Sequence, residues 1–184
     1  SQMSDRQEYN RGKTYIRDKA IYTLALNTGI RVSELVSLDI GDIDFRRHCF
    51  NIIRKRGKED TVYFSDSVEA ALLDWLEIRP QFLSDQNEQA LFLSTQGSKK
   101  GLRLSVRSVE ILVKKYAKIG APEIGSKITT HKLRSSYATK IIEKTGGDIN
   151  YAKNVLGHEN ITTTTHYIKD NEKQKELNRN LLDT

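Results

Sequence analysis

Cysteine, proline and long apolar runs are scarce in this chain of 184 residues, which contains one cysteine, Cys49, and two prolines. A single thiol can form neither an internal disulfide nor a cysteine-based zinc site, so a reducing cytoplasm is the expected compartment. The apolar runs extend over only a few residues, which is too short for a transmembrane helix or a secretory signal. We therefore expect a cytoplasmic protein without a membrane partner.

Clustered metal ligands are also missing from the sequence. Nucleases that hydrolyse phosphodiesters usually bind Mg²⁺ through several Asp or Glu side chains, and no motif here gathers carboxylates in that way. The interval between His158 and His166 does not match the i, i+4 zinc motif either. The sequence therefore predicts no metal site and no cofactor.

Positive charge, in contrast, is in excess. The 30 Lys and Arg residues outnumber the 24 Asp and Glu residues, which gives a formal net charge of +6. Such a balance favours a polyanionic partner through counterion release, although it does not identify one. The length suits one domain with a real core, because about 100 to 200 residues per domain is usual.

Apolar periodicity predicts a largely helical fold. A first helix is expected to begin near Ile16 and to end at Gly29, and a short second helix to begin beside Arg31. Trp75 falls on the apolar stripe of a third helix and is predicted to anchor the core. The helical pattern places this third helix at 68–76 and predicts three more, at 105–120, 131–145 and 149–156.

Three short runs are rich in β-forming residues. The runs 50–53 and 61–64 flank a basic segment and predict a hairpin with a basic, outward-reaching tip. The run 90–93 predicts a further short strand. The expected fold class is therefore mainly α with a small antiparallel β-sheet or hairpin.

Composition divides the chain into three parts. Residues 1–12 are polar and unpatterned, and we expect them to be a disordered leader or an expression remnant. Residues 13–168 form the predicted globular domain. Residues 169–184 are charged, with Leu177 and Leu181 four positions apart. We expect this tail to form a helix that packs either on its own domain or on a neighbouring molecule.

The stretch from Thr130 to Tyr167 concentrates the side chains that suit phosphate chemistry. It contains His131, Arg134, His158 and His166 in addition to the tyrosine. His131 and Arg134 are three positions apart, so on a helix an imidazole and a guanidinium would share one face and could meet the same anion. A protein that uses guanidinium groups in place of metal ions can let a tyrosine attack a phosphodiester.

Five ordered motifs resemble those of the tyrosine recombinase or integrase family, whose chemistry is related to that of type IB topoisomerases. They are Thr28-Gly29-Ile30-Arg31-Val32-Ser33-Glu34-Leu35, the basic hairpin with Lys55, His131-Lys132-Leu133-Arg134, Leu156-Gly157-His158, and Tyr167 nine residues after His158. The resemblance spans nearly the whole chain and is closest to the Xer-like and the phage or conjugative-transposon integrases. It implies the catalytic-domain fold of that family.

The resemblance also implies a role for each matched residue. Tyr167 would attack the scissile phosphate and form a 3′-phosphotyrosine link, while Arg31 and Arg134 would bind its non-bridging oxygens. His158 would donate a hydrogen bond to the same phosphate. His131 would act as general base or as a phosphate contact. Glu34 would support the first arginine. Lys55 would be the general acid, with Lys58 as the alternative. The family assigns no role to His166.

Double-stranded DNA is the partner that the resemblance implies. Basic residues of the hairpin, a loop and the fifth helix are candidate contacts to its backbone: Arg54, Arg56, Lys58, Lys99, Lys100 and Lys132. The full-length protein is expected to act as a tetramer on two DNA sites, whereas this chain alone could be monomeric. Two alternatives stay open: a DNA-binding module that has lost catalysis, and a relaxing enzyme similar to type IB topoisomerases.

Overall fold

The computed structural model describes the backbone of residues 2–157 and the side chains of residues 12–54 and 56–157. The predicted site residues His158 and Tyr167, together with His166 and the tail at 169–184, lie outside the described residues. The described part contains six α-helices and one small sheet. The predicted fold class, mainly α with a small antiparallel β-sheet, is confirmed.

The helices are connected by segments of very different length, and the sheet lies between the second and third of them along the chain. Their bounds are α1 Gln2–Thr28, α2 Val32–Ser37, α3 Asp66–Ile78, α4 Val106–Gly120, α5 Thr130–Lys144 and α6 Ile149–Leu156. Side-chain oxygens cap three of them: the Ser105 hydroxyl accepts from the Ser108 amide, the Thr129 hydroxyl from Lys132, and the Asp148 carboxylate from Tyr151. The predicted N-caps Ser105 and Asp148 are therefore confirmed.

The sheet has three antiparallel strands in the order β1 (Ile43–Asp44), β2 (Cys49–Ile53) and β3 (Glu59–Tyr63). Cys49 pairs with Tyr63 and Ile53 with Glu59, so the hairpin closes through the short turn Lys55–Gly57. This confirms the predicted hairpin. The strand β1 was not predicted, because two residues are too few to show a period.

Trp75 on α3 is at the centre of the core. Its side chain is fully buried, its ring lies 5.7 Å from that of Phe82 and 6.5 Å from that of Phe92, and its Nε1 donates to the Leu91 carbonyl at 2.8 Å. The prediction that Trp75 anchors the core is confirmed. The indole also joins α3 to the buried segment 90–93.

The segment 90–93 does not form the predicted strand. It is buried, but it makes only isolated bridges, from Ala90 to Asp39 and from Leu93 to Arg103. The Leu91 carbonyl is bound by Trp75 and the Ala90 carbonyl by the Arg79 guanidinium. Because side chains bind these backbone acceptors, no ladder of strand pairing can continue along the segment.

Helix α1 extends further than the sequence predicts. It begins at Gln2, so residues 2–12 are helical, in contrast to the expected disordered leader. Downstream, Ala20, Ile21 and Leu24 are fully buried, and the helix packs on α3 and α5. None of the helices in the described part of the chain combines the length and apolarity that crossing a membrane would require.

Candidate active site

The junction between α1 and α2 depends on a glycine. Gly29 has a φ of +59°, and a Cβ at this position would lie 2.8 Å from Leu156 Cδ2 and still closer to the Tyr137 ring. Only glycine combines a left-handed conformation with such an approach. The reversal of the chain at Gly29 brings Arg31 to the N-cap of α2, where the ends of α1 and α6 meet.

Glu34 holds Arg31 in place. Its carboxylate accepts from Arg31 Nη1 at 2.7 Å and from the Arg31 backbone amide at 2.8 Å, so the side chain is bound at two points. Glu34 is only 5% exposed, whereas the Arg31 side chain is 27% exposed. A buried carboxylate therefore orients a guanidinium that still reaches the surface.

Arg134 enters the same region from α5. It is buried, and its guanidinium donates from Nη1 to the Gly29 carbonyl and from Nη2 to the Leu156 carbonyl. The Gly29 carbonyl lies at the end of α1 and the Leu156 carbonyl at the end of α6. Arg134 thus connects three helices, and its contact to Gly29 spans 105 positions in the sequence.

Helix α6 ends against these arginines. Gly157 is its left-handed C-cap, with φ +59°, and the Gly157 carbonyl accepts from Arg31 Nη2 at 3.4 Å. The last carbonyls of a helix lack partners within the helix and carry partial negative charge, so they attract cations. Both arginines that the resemblance assigns to the phosphate therefore lie at the residues that immediately precede His158.

Arg54 is placed differently from its sequence assignment as a DNA-backbone contact. It is 8% exposed, and its guanidinium donates to Asp60 at 2.7 Å and to the Leu156 carbonyl at 3.0 Å. All three of its guanidinium nitrogens have protein acceptors, including two carboxylates that offset its charge, so the prediction that Arg54 contacts the DNA backbone is wrong. The alternation along β2 could have indicated this burial, because Phe50, Ile52 and Arg54 share one parity and the first two are core residues.

The other basic candidates lie at the surface. Arg56, Lys58, Lys99, Lys100 and Lys132 are all exposed. Lys55 is the first residue of the hairpin turn. His131 is also exposed, in the first turn of α5 and one turn before Arg134. The described residues thus bring Arg31, Glu34 and Arg134 together, with Arg54 as an addition that the motifs did not reveal.

A tyrosine beside this region is kept neutral. Burial raises the pKa of Tyr137, and the nearby Tyr151 adds to the effect. The Tyr137 ring faces Gly29, so this side chain packs the helix junction. A phenol with a raised pKa is a poorer source of phenolate.

Within the described part of the chain, one group of side chains has the composition of a metal site. The His48, Asp66 and Glu69 ligand atoms lie within 4.8 Å of one another. His48 Nδ1 is 3.5 Å from Asp66 Oδ1 and 3.8 Å from Glu69 Oε2, while the Asp66 side chain is 96% exposed. The dipole of α3 by itself favours two carboxylates in its first turn, so this group needs no metal ion to explain it.

Comparison with known proteins supports the same assignment of family. A family model described as the phage integrase family matches residues 2–174. The tyrosine recombinase XerC of Caldanaerobacter subterraneus subsp. tengcongensis is 38% identical over 168 residues, which cover 90% of this chain and 45% of that protein. The chain therefore spans about half the length of the curated relatives that it matches.

Solved structures of recombinases share the fold. The crystal structure of XerA recombinase superposes with a TM-score of 0.71 at 29% identity and covers 83% of this chain and 53% of that chain. The XerH site-specific recombinase bound to its difH substrate, in a pre-cleavage complex, gives a TM-score of 0.71 at 25% identity and covers 84% of this chain and 43% of that chain. With a family model that matches nearly its whole length, the chain belongs to the phage integrase family.

Proposed function

We propose that this chain is the catalytic domain of a site-specific DNA recombinase that cuts and rejoins double-stranded DNA through a tyrosine. The observation that carries the proposal is the convergence of Arg31 and Arg134 on the C-terminus of α6, which immediately precedes His158 in the sequence. The two guanidiniums come from helices far apart in the sequence. Planar, permanently charged donors suit the bidentate recognition of a phosphate.

The proposed reaction is a phosphoryl transfer. The Tyr167 oxygen forms a bond to phosphorus while the bond from phosphorus to the 5′ oxygen breaks, and the phenol proton passes to His131. Lys55 supplies a proton to the departing 5′ oxygen. Arg31, Arg134 and His158 stabilise the charge that develops on the non-bridging oxygens. The bond energy is kept in the 3′-phosphotyrosine link, so the reaction proceeds without ATP.

Religation reverses this step. The 5′ hydroxyl of a second strand attacks the phosphotyrosine, and exchange of strands between two DNA sites produces recombinants. In the full-length protein, four protomers act on two sites, and the tail at 169–184 contacts either its own domain or a neighbouring protomer. The catalytic domain extends over 13–168 in this proposal.

Covalent capture of DNA tests the proposal. Nicked duplexes of randomised sequence are incubated with the chain, protein–DNA adducts are isolated under denaturing conditions, and the captured DNA is sequenced. We expect a protease-sensitive adduct with a common sequence. Tyr167→Phe should form no adduct, and Arg134→Ala should form it about 100- to 1,000-fold more slowly, as in other sites that lose one donor to a developing anion.

The controls separate this proposal from its alternatives. A DNA-binding module without catalysis would retain the duplex but form no adduct. A persistent adduct in Tyr167→Phe would overturn the choice of nucleophile. For the relaxing-enzyme alternative, two captured sites on separate duplexes are mixed: a recombinase yields exchanged products, whereas a topoisomerase-like enzyme only relaxes supercoiled DNA.

A further inference from the structure

The Arg54 side chain contacts three parts of the proposed active site. Its Nε donates to Asp60 Oδ2 at 2.7 Å across the hairpin, and its Nη1 lies 3.5 Å from Glu34 Oε2. Its other contacts are to α6, from Nη1 to the Leu156 carbonyl at 3.0 Å and from Nη2 to the Val155 carbonyl at 3.4 Å. One guanidinium therefore links the hairpin, the carboxylate that holds Arg31, and the end of α6.

The approach of Arg54 to α6 is close. A Cβ on Gly157 would lie 2.6 Å from Arg54 Nε and 2.8 Å from its Cζ. The guanidinium therefore lies against the α-carbon of the residue that precedes His158. Together with Arg31 and Arg134, Arg54 binds three successive carbonyl groups, those of Val155, Leu156 and Gly157.

The backbone of the hairpin connects the fixed Arg54 side chain to Lys55. The Arg54 amide donates to the Lys58 carbonyl at 2.7 Å, and the Gly57 amide donates to the Arg54 carbonyl at 3.2 Å. Arg56 and Gly57 both have positive φ angles, so the turn is tight. Lys55 is bonded directly to Arg54, and the position of the turn relative to α6 depends on where the Arg54 side chain is fixed.

We propose that Arg54 is a positioning residue for the general acid. It holds the turn that carries Lys55 at a fixed distance from the α6 C-terminus and from the Arg31–Glu34 pair, so that Lys55 meets the departing 5′ oxygen of the phosphate bound by the arginines. This inference rests on the proposed function. A displacement of about 1 Å at a reacting group can lower a rate by about 100-fold, so loss of the anchor should be visible in the cleavage rate.

A sulfur substitution in the DNA makes the test specific for proton donation. The captured duplex is prepared with either oxygen or sulfur at the bridging 5′ position. Thiols ionise far more readily than alcohols, with a pKa of about 8.5 for a cysteine thiol. A thiolate therefore departs without a proton, and only variants whose defect lies in protonation are rescued by the sulfur substrate.

Single-turnover cleavage of the two substrates is measured for the whole chain and for Arg54→Gln, with Lys55→Ala as benchmark. We expect Arg54→Gln to cleave the oxygen substrate about 10- to 100-fold more slowly than the unmodified chain. On the sulfur substrate it should cleave at nearly the unmodified rate. Arg47→Gln is the matched control, because Arg47 is exposed in the turn between β1 and β2, and it should match the unmodified chain on both substrates.

Asp60→Asn provides a second variant in case Arg54→Gln fails to fold. The Asp60 side chain is 34% exposed, so its replacement weakens the same link from the other side of the hairpin with less disturbance of the core. We expect a smaller loss on the oxygen substrate and the same rescue by sulfur. Far-ultraviolet circular dichroism and the urea midpoint establish which variants are folded.

The outcomes distinguish this inference from the function on which it rests. Equal losses on both substrates for the folded Arg54 and Asp60 variants, with Lys55→Ala rescued, would overturn the positioning role and leave the recombinase proposal intact. The positioning role would also be overturned if both variants cleaved the oxygen substrate at the rate of the unmodified chain. A Lys55→Ala variant that sulfur does not rescue would overturn the general acid assignment and this inference together.

Discussion

A single buried carboxylate, Glu34, has two positively charged partners. Its Oε1 binds Arg31 and its Oε2 binds the Arg31 amide and lies near Arg54. Because these groups are buried, removal of either the carboxylate or a guanidinium should destabilise the protein, since the charge that remains has no partner of opposite sign. The carboxylate of Glu34 is thus as important for the arrangement of the site as the arginines that it holds.

Replacement of this carboxylate tests its role in stability. Glu34→Gln keeps the size of the side chain but removes its charge, and its amide group cannot accept hydrogen bonds through both ends. We expect the free energy of unfolding to fall by about 1 to 3 kcal/mol, the usual contribution of hydrogen bonds to charged groups, as measured by urea denaturation. Glu110→Gln, on the exposed face of α4, is the control and should change it by less than about 0.5 kcal/mol.

Tyr116 gives a prediction of pH dependence. Burial, together with the Asp18 carboxylate that accepts from the phenol at 3.0 Å, raises the pKa of Tyr116 to about 12 from its ordinary value of 10.0. Because the folded state holds this proton more tightly than the unfolded state, its contribution to stability is complete below pH 10 and is lost as the pH rises towards about 12.

The variant Tyr116→Phe isolates this contribution. It loses the hydrogen bond to Asp18 and should be less stable than the unmodified chain by about 1 kcal/mol at neutral pH. The difference in unfolding free energy between the two proteins should shrink as the pH rises from 10 towards 12. Urea denaturation at a series of pH values measures it. A difference that stays constant over this interval would show that the folded state does not bind the Tyr116 proton more tightly than the unfolded state.

At the scale of elements, the junction of α1, α5 and α6 can be tested with a pair of glycines. Gly29 and Gly146 have similar φ angles, +59° and +66°, but a Cβ would meet the Tyr137 ring and Leu156 at Gly29 and nothing within 4 Å at Gly146. Gly146→Ala should lower the free energy of unfolding by about 1 to 2 kcal/mol through backbone strain alone. Gly29→Ala should lower the free energy of unfolding by about 1 to 3 kcal/mol more than that, because the Tyr137 ring must move. Equal urea midpoints would contradict the close approach.

Elements that depend on local signals were predictable. Ser105 and Asp148 were assigned as N-caps because the first amides of a helix need acceptors, and Trp75 was assigned to the core because its helix shows an apolar stripe. The hairpin at 49–63 follows from two β-rich runs around a turn. Such features depend on residues a few positions apart, and a single sequence contains that information.

Elements that depend on distant contacts were not predictable in the same way. The segment 90–93 has the residues of a strand, but Trp75 and Arg79 bind its carbonyls. Arg54 has the charge of a DNA contact, but acceptors about 100 positions away, at Val155 and Leu156, enclose it. The motifs predicted candidate residues for the site, whereas the contacts that hold Arg31, Glu34 and Arg134 required coordinates.

At the scale of the whole molecule, the candidate site is assembled from segments that are far apart in the sequence. The ends of α1 and α6, the start of α2, the hairpin and α5 contribute to one small region through Arg31, Arg54 and Arg134. Backbone carbonyls and two carboxylates balance these positive charges. A change in any one helix end is therefore transmitted to the others, so stability and geometry of the site are coupled.

The excess of positive charge over the whole chain leads to the last prediction, which concerns the loop at 96–101. The structure shows a short turn, Gly97–Lys99, closed by hydrogen bonds from the Ser94 amide to the Leu102 carbonyl and from the Gly101 amide to the Ser94 carbonyl, both at 2.8 Å. The exposed Lys99 and Lys100 therefore project from an ordered turn, which reduces the entropy lost when they bind a phosphate.

If these lysines contact the DNA backbone, each one should contribute about 0.9 to the slope of log affinity against log salt concentration. The double variant Lys99→Gln, Lys100→Gln should bind a duplex more weakly at low salt and with a slope that is shallower by about 2. The control is the double variant Lys19→Gln, Lys118→Gln. Each pair removes two positive charges and lowers the formal net charge from +6 to +4. Fluorescence anisotropy over a salt series measures both, and equal slopes for the two double variants would mean that overall charge, and not contact by the loop, determines the affinity.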